Sequence, residues 1–403
     1  MATTEQCTLL LFTLLFSSLT TISFSATKQR CHPNDYKVLM QIKKSLNNPY
    51  HLASWVPNTD CCEWYCLECD EKTNRVRALT IFSGEISGQI PSAIGDLPYL
   101  DSLVFRKLSN ITGSIPRSIT KLKNLRSVRI SWLNLTGPVP AFLSELPNLE
   151  FLELNFNKFS GSIPPSFSKF TKLEALHLDR NKLTGTIPES FGHFKGSVPD
   201  MYLSHNQLTG TIPKSFVNMD FERIDLSRNK LVGDASMLFK PNGSTQILDI
   251  SRNMFEFDFS KVKFPKSLIS LDINHNKIYG SIPKDIVKID YFQIFNASYN
   301  RLCGEIPTGG DMARFDYSTY IHNKCLCGLT NKVPKPTTSQ VPKPTTSQVP
   351  KPTTSQVPKS TTSQVPKPTT SQVLHTRSLI PGPSCQVLHR DLTRSINDLL
   401  KLQ

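Results

Sequence analysis

One frame returns every 23 to 25 residues through most of this chain. "LELNFNKFSGSIP" closes at Pro164, "LHLDRNKLTGTIP" at Pro188, "MYLSHNQLTGTIP" at Pro213 and "SLDINHNKIYGSIP" at Pro283. Gly88, Gly113, Gly137, Gly161, Gly185, Gly210, Gly233, Gly280 and Gly304 keep the beat, with one doubled gap in which Phe257 stands in the glycine's place. That makes ten units. A unit this short cannot bury its own apolar edge, so the units must stack side by side. Stacking excludes the two or three compact domains that 403 residues would otherwise suggest.

Each unit reads L-x-L-x-x-N-x-L-x-G-x-I-P, the leucine-rich-repeat pattern. In "LHLDRN", Leu176 and Leu178 point inward from a short strand while His177, Asp179 and Arg180 point outward. Leaving the strand, the backbone amides lose their ladder partners. A buried Asn side chain, stacked on the Asn of the next unit, satisfies them from inside the turn, and Asn157, Asn181, Asn206, Asn229, Asn253, Asn276 and Asn300 hold that position. Gly185 then permits a bend closed to bulkier residues, and Pro188 stiffens the return path. The expected fold is an α/β leucine-rich-repeat solenoid, right-handed and curved.

The segments flanking the repeats differ in kind. An apolar stretch from Leu9 to Leu19, followed by small residues at Ser23 to Ala26, reads as a secretory signal peptide over residues 1–25. Residues 26–74 read as a cysteine-rich cap. Val38, Leu39, Ile42 and Leu46 recur there at helical spacing, Asn34 or Asp35 is placed to start the helix, and Trp55 and Trp64 are placed to cover the first unit. The repeats fill 75–307 and a second cysteine cap fills 308–330. Beyond it, over 331–403, lies a tail with five octapeptides of the type "VPKPTTSQ". Proline that dense, without large apolar residues, builds no core and favours extended polyproline II. No later stretch reaches the ~20 apolar residues of a bilayer span, so a secreted, extracellular protein is expected.

The cysteines agree with an oxidising compartment. Cys31, Cys61, Cys62, Cys66 and Cys69 bracket the first cap, and Cys303, Cys325 and Cys327 close the repeats. Zinc is the rival for "CCEWYCLEC", but no His stands at ligand spacing, so disulfides are preferred, with no metal and no cofactor. Loss of Cys7 with the signal leaves an odd number. The formal charge is +14, and beyond Thr330 ten Lys/Arg stand against Asp391 and Asp398 alone. Outside a cell such a balance favours anionic glycans over nucleic acid.

The "DCCEW" cap, the cysteine spacing, the L-x-G-x-I-P frame, "VRISWLNLTGPVP" and "RLCGEIPTGG" together resemble plant polygalacturonase-inhibiting proteins from about Arg30 to Gly328. The carrot antifreeze protein is similar as well. The resemblance implies a cell-wall protein, monomeric and without catalysis of its own, that holds secreted polygalacturonases on its concave face and limits pectin breakdown. By the same analogy Cys31 pairs with Cys61, Cys62 with Cys69 and Cys303 with Cys325. The analogy leaves the pairing of Cys66, Cys327 and Cys385 open.

Residues one unit apart become lateral neighbours, about 4.8 Å apart. Just before the Asn position the column runs Trp132, Phe156, Arg180, His205, Arg228, Arg252, His275. Its basic members Arg180, His205, Arg228, Arg252 and His275 are spaced for the carboxylates of a polygalacturonate chain. The neighbouring column holds Arg129, Glu153, His177, Tyr202, Asp225, Asp249 and Asp272. Arg129, Trp132, Glu153, Phe156, His177, Asp179, Tyr202 and Asp225 make aromatic anchors ringed by mixed charge, as protein interfaces use.

Asp225 and Asp249 invite a glycosidase reading at about 5 Å separation. Repetition of the position opposes it, as does the expectation that Arg228 and Arg252 keep both groups ionised. A ligand- or receptor-partner-binding module competes with the inhibitor reading. So does an ice-binding surface, weakened because the outward columns mix Arg, His, Asp, Trp and Phe, and because the more regular series to which Thr184 and Thr209 belong lapses through the seventh and eighth units. Asn110, Asn134, Asn242 and Asn296 open N-glycosylation sequons, and a glycan on Asn296 would mask the far end of the concave face.

Overall fold

The computed structural model describes residues 30–328; the signal-like segment, the octapeptide tail and Cys385 lie outside the described residues. An α-helix, Pro33–Ser45, opens the cap. His32 caps it, its Nδ1 accepting from the Asn34 N–H at 3.3 Å with Pro33 in the first turn. Neither Asn34 nor Asp35, the expected starters, serves. Asp35 is instead buried and holds Arg75 through two bonds of 2.8 and 2.9 Å while accepting the Val76 N–H, which ties the helix to the first repeat strand. Leu39, Ile42 and Leu46 face the core, Val38 packs at its margin, and Trp55 stacks on Trp64 at 5.5 Å over the end of the repeats.

Ten parallel strands follow in chain order, from Val76–Phe82 and Ser102–Arg106 to Ser270–Asp272 and Ile294–Asn296. The cap strand Leu67–Cys69 adds an antiparallel edge, giving an eleven-stranded sheet. Every strand pairs with the strand one unit away in a register that keeps equivalent residues opposite each other, as in Leu176 against Leu152 and Met201. The two frame leucines of each unit are buried to the last few percent, and Phe167, Phe191 and Phe216 fill the interior behind them.

The glycine of the frame lies at φ of +77° to +88° in seven units from Gly113 to Gly280, a conformation only glycine adopts at low cost. The proline that follows is extended and leads into a short 3₁₀ turn, so the back of the solenoid is built from turns rather than helices. Five short strands from Gly88–Gln89 to Lys182–Leu183 form a second, smaller sheet on that side.

The asparagines bond backbone on both sides of their turns. Asn253 donates to Leu226 O, Ile250 O and Ser251 O at 2.9 to 3.2 Å and accepts from the Leu231 N–H at 3.0 Å. Each asparagine thus sews its own turn to the backbone of the preceding unit. Asn323 continues the series into the C-terminal cap, where sequence reading ended it at Asn300. Disulfides join Cys31 to Cys61, Cys62 to Cys69 and Cys303 to Cys325. Cys66 is unbridged and half-buried, its thiol pushed up to about 12 by burial.

Candidate functional site

Three columns of side chains line the outward face of the long sheet. The middle strand position carries Arg129, Glu153, His177, Tyr202, Asp225, Asp249 and Asp272 in strict register, with Asn296 as the last rung. Two residues further along stand Ser131, Asn155, Asp179, Ser204, Ser227, Ser251, Asn274 and Ser298. Asp179 belongs to this recessed column, is 9% exposed, and leaves its Oδ1 without a hydrogen-bond partner.

The third column is where sequence and structure differ. Trp132, Phe156, Arg180, His205, Arg228, Arg252 and His275 lie beyond the strand ends, each at φ between +52° and +59°. For a residue with a Cβ this left-handed backbone costs on the order of 1 kcal/mol. The same conformation recurs at Ser83, Lys107, Tyr299 and His322, so the column has eleven rungs rather than seven. Tyr299 and His322 each precede a ladder asparagine, the frame signal that identifies them.

The left-handed turn sets these side chains upright, one against the next. Trp132 and Phe156 stack with centroids 3.5 Å apart, and the Arg180 guanidinium lies 4.7 Å over the Phe156 ring. At the other end His275, Tyr299 and His322 stack at 4.0 and 4.2 Å. Between these aromatic ends Arg180, Arg228 and Arg252 are exposed and form no ion pair among the described residues. His205 sits between Arg180 and Arg228, and His275 follows Arg252, each held below the ordinary histidine value by desolvation and by the neighbouring arginines.

The middle column divides at its midpoint. Arg129 pairs with Glu153 at 3.3 Å, and His177 stacks on Tyr202 at 4.3 Å. His177 is lowered by desolvation, and its Nδ1 lies 3.9 Å from the Asp179 carboxylate. Past Tyr202 three aspartates occupy adjacent rungs. One oxygen of each accepts the N–H two residues on, at Ser227, Ser251 and Asn274, at 2.9 to 3.0 Å. These side chains, with Asp179 and the basic column beside them, line a concavity of about 510 Å³.

The expectation that Arg228 and Arg252 hold the aspartates ionised does not hold at Asp249. Burial, then the charge of Asp225 alongside, pushes Asp249 up to about 7. Asp272 is raised chiefly by burial, and Asp179 is pushed by burial up to about 6. The arginines stand on left-handed turns past the strand ends and form no ion pair with the floor of the groove.

Of the sequon asparagines, Asn110 and Asn242 are exposed, and Asn134 is half-buried with its amide bonded to Ser109 O. Asn296 lies on the outward face beside Asp272, its Oδ1 accepting both the N–H and the hydroxyl of Ser298.

Family models match three stretches of the chain: a leucine-rich-repeat N-terminal domain over residues 32–70, the leucine-rich-repeat domain of the EGF-like domain-containing protein ComC over 82–231, and a leucine-rich repeat over 267–289. Polygalacturonase inhibitor 1 of Arabidopsis thaliana is 68% identical over 335 residues, covering 83% of this chain and 99% of that protein. The chain belongs to the polygalacturonase inhibitor family of leucine-rich-repeat proteins. Another member, the polygalacturonase inhibitor of Vitis vinifera, is 64% identical over 325 residues, 81% of this chain and 97% of its own. Among solved structures, a plant ice-binding protein superposes with a TM-score of 0.73 at 53% identity, over 74% of this chain and 97% of that one.

Proposed function

We propose that this protein binds secreted polygalacturonases on the outward face of the long sheet and inhibits them, as a cell-wall protein exported by its N-terminal segment. The observation that carries the reading is the 68% identity spanning 99% of a named polygalacturonase inhibitor. The relatives are named as inhibitors of an enzyme, and no helix among the described residues is long and apolar enough to cross a membrane. Trp132, 42% exposed and braced by Phe156, is the anchor: a rigid ring presented at little entropic cost beside the charges of Arg129, Glu153 and Asp179.

Purified full chain titrated against a panel of fungal, bacterial and plant polygalacturonases is expected to inhibit at least one. Trp132→Ala should weaken that inhibition about 30-fold, the effect of losing a contact of about 2 kcal/mol. No inhibition anywhere in the panel would remove this reading and leave the fold intact.

The basic part of the left-handed column supports a second contact, with pectin. Arg180, Arg228 and Arg252 are exposed and form no ion pair among the described residues, with His205 between the first two and His275 after the third, and they repeat along the solenoid as carboxylates repeat along polygalacturonate. Binding to polygalacturonate should fall as salt is raised. The double charge reversal of Arg228 and Arg252 to Glu should weaken it on the order of tenfold or more. Binding indifferent to both would sink the pectin contact.

The likeness to an ice-binding protein favours a further reading on the opposite side of the solenoid. Thr112, Thr136, Ser160, Thr184 and Thr209 are exposed there at one frame position. The column then passes to Val232, Glu256, Tyr279 and the disulfide-bonded Cys303, so the hydroxyl array covers only half of that face.

A further inference from the structure

Within the groove the aspartates are short of counter-charge. Asp225, Asp249 and Asp272 face one another on three adjacent strands, about 4.8 Å apart. Each spends one oxygen on its own turn, and none forms an ion pair with a Lys, Arg or His among the described residues. Asp179, more than nine-tenths buried, lines the same concavity with Oδ1 unpartnered, and the Asn155 Oδ1 in the next rung is buried and unpartnered as well. The floor of the groove thus gathers four carboxylates, while the arginines that line the same concavity, Arg180, Arg228 and Arg252, form no ion pair with them among the described residues.

We propose that the free protein keeps a proton on this aspartate ladder and gives it up to solvent when a cationic side chain of a protein partner enters the groove. The inference rests on the inhibitor reading and concerns how that same face engages its partner. Three like charges on consecutive rungs cannot all ionise cheaply in a half-buried groove, so one carboxylic acid O–H bond persists. An arriving ammonium or guanidinium supplies the missing positive charge, the O–H breaks, and the proton leaves to water while its electron pair stays on the carboxylate. The raised values of Asp249 and Asp179 agree with this geometry.

The groups that face the ladder fix its surroundings. Asp225 and Asp272 flank Asp249 on both sides, and Arg252 acts on Asp272 from the left-handed column. Around Asp179 stand Arg180, Asp225 and the ring of His177, the last stacked on Tyr202. On the strand side Arg223 is already committed to Asp200 at 3.0 Å and to Glu222 at 3.0 Å. His205 and His275 are both lowered, first by desolvation and then by the neighbouring arginines.

Two measurements decide the matter. Difference potentiometric titration of the free full chain against Asp249→Asn should show about one extra proton released by the unsubstituted protein between pH 5 and pH 8. Superimposed curves above pH 5 would overturn the proposal without reference to any partner. Calorimetry with an inhibited polygalacturonase, in buffers of differing ionisation enthalpy at pH 5.5, should show release of about one proton on binding, with affinity rising up to tenfold per pH unit; Asp249→Asn should remove both. Binding with no proton release, or with release unchanged in Asp249→Asn, would overturn the coupling. Absence of binding to any polygalacturonase would fell the inhibitor reading, while the free-protein titration still tests for the stored proton.

Discussion

Asn253→Ala should cost about 2 to 3 kcal/mol of stability, several times the effect of trimming an exposed side chain in the next unit such as Lys277. The asparagine is 8% exposed, donates to three backbone carbonyls and accepts one amide. Alanine fills part of the space and none of the bonds. Leu226 O keeps the Asn229 amide, Ile250 O the Asn276 amide and Ser251 O the Arg228 N–H, so the Leu231 N–H is the group left unpaired, at about 1 to 3 kcal/mol, beside the loss of three donated bonds. Because the bonds to Leu226 and Leu231 cross to the preceding unit, the loss falls on the contact between neighbours, on which a stacked array depends. Urea unfolding of the full chain followed by circular dichroism reads the change directly. Midpoints of Asn253→Ala and Lys277→Ala that coincide would show that the ladder does not bear on stability.

The repeat made most of this architecture legible before any coordinates. Period-two burial at Leu176 and Leu178, the turning glycine and the stiffening proline all act within one unit, so a local pattern was enough to place them. The lateral neighbours followed from the period alone: the pairing of His177 with Glu153 and Tyr202 is what a 24-residue step requires. The cap helix was legible in its apolar spacing but not in its start. Asp35 was drawn away from the helix terminus by Arg75, forty residues later, and no local reading sees that partner.

What stayed hidden was direction and charge balance. Arg180 looks like any outward strand residue in "LHLDRN", but the chain has already left the strand when it reaches it. The left-handed turn there depends on Asn181 swinging inward to bond the unit before it. Once the turn is known, the stacking of Trp132 on Phe156 and of Tyr299 on His322 follows from the same geometry, and so does the failure of Arg228 and Arg252 to neutralise the floor. Sequence reading assumed that charges close in the chain are close in space. Here they stand on separate ledges.

That missing neutralisation leads to the second large effect. Asp249→Asn should stabilise the fold at pH 7.5 to 8 by on the order of 3 kcal/mol and leave it nearly unchanged at pH 4. A carboxyl group held at about 7 in the folded chain and near 4 in the unfolded one binds its proton more tightly when folded. Its contribution to stability is present below the unfolded value and is lost as pH rises through the folded one, the reverse of an ion-paired aspartate. About three units of displacement correspond to about 4 kcal/mol, trimmed by the water that reaches a half-open rung. Asparagine carries no charge to desolvate and retains an oxygen for the Ser251 N–H. Thermal unfolding of both proteins between pH 4 and pH 8 should give curves that converge in acid and separate towards neutrality; parallel curves would mean that Asp249 ionises freely. Convergence in acid would show that the cost lies in charging this rung, which burial sets first and the charge of Asp225 alongside increases. A groove so arranged is less stable empty and charged than filled by a cation, which is the property an inhibitory surface needs if its partner is to be held more firmly than solvent.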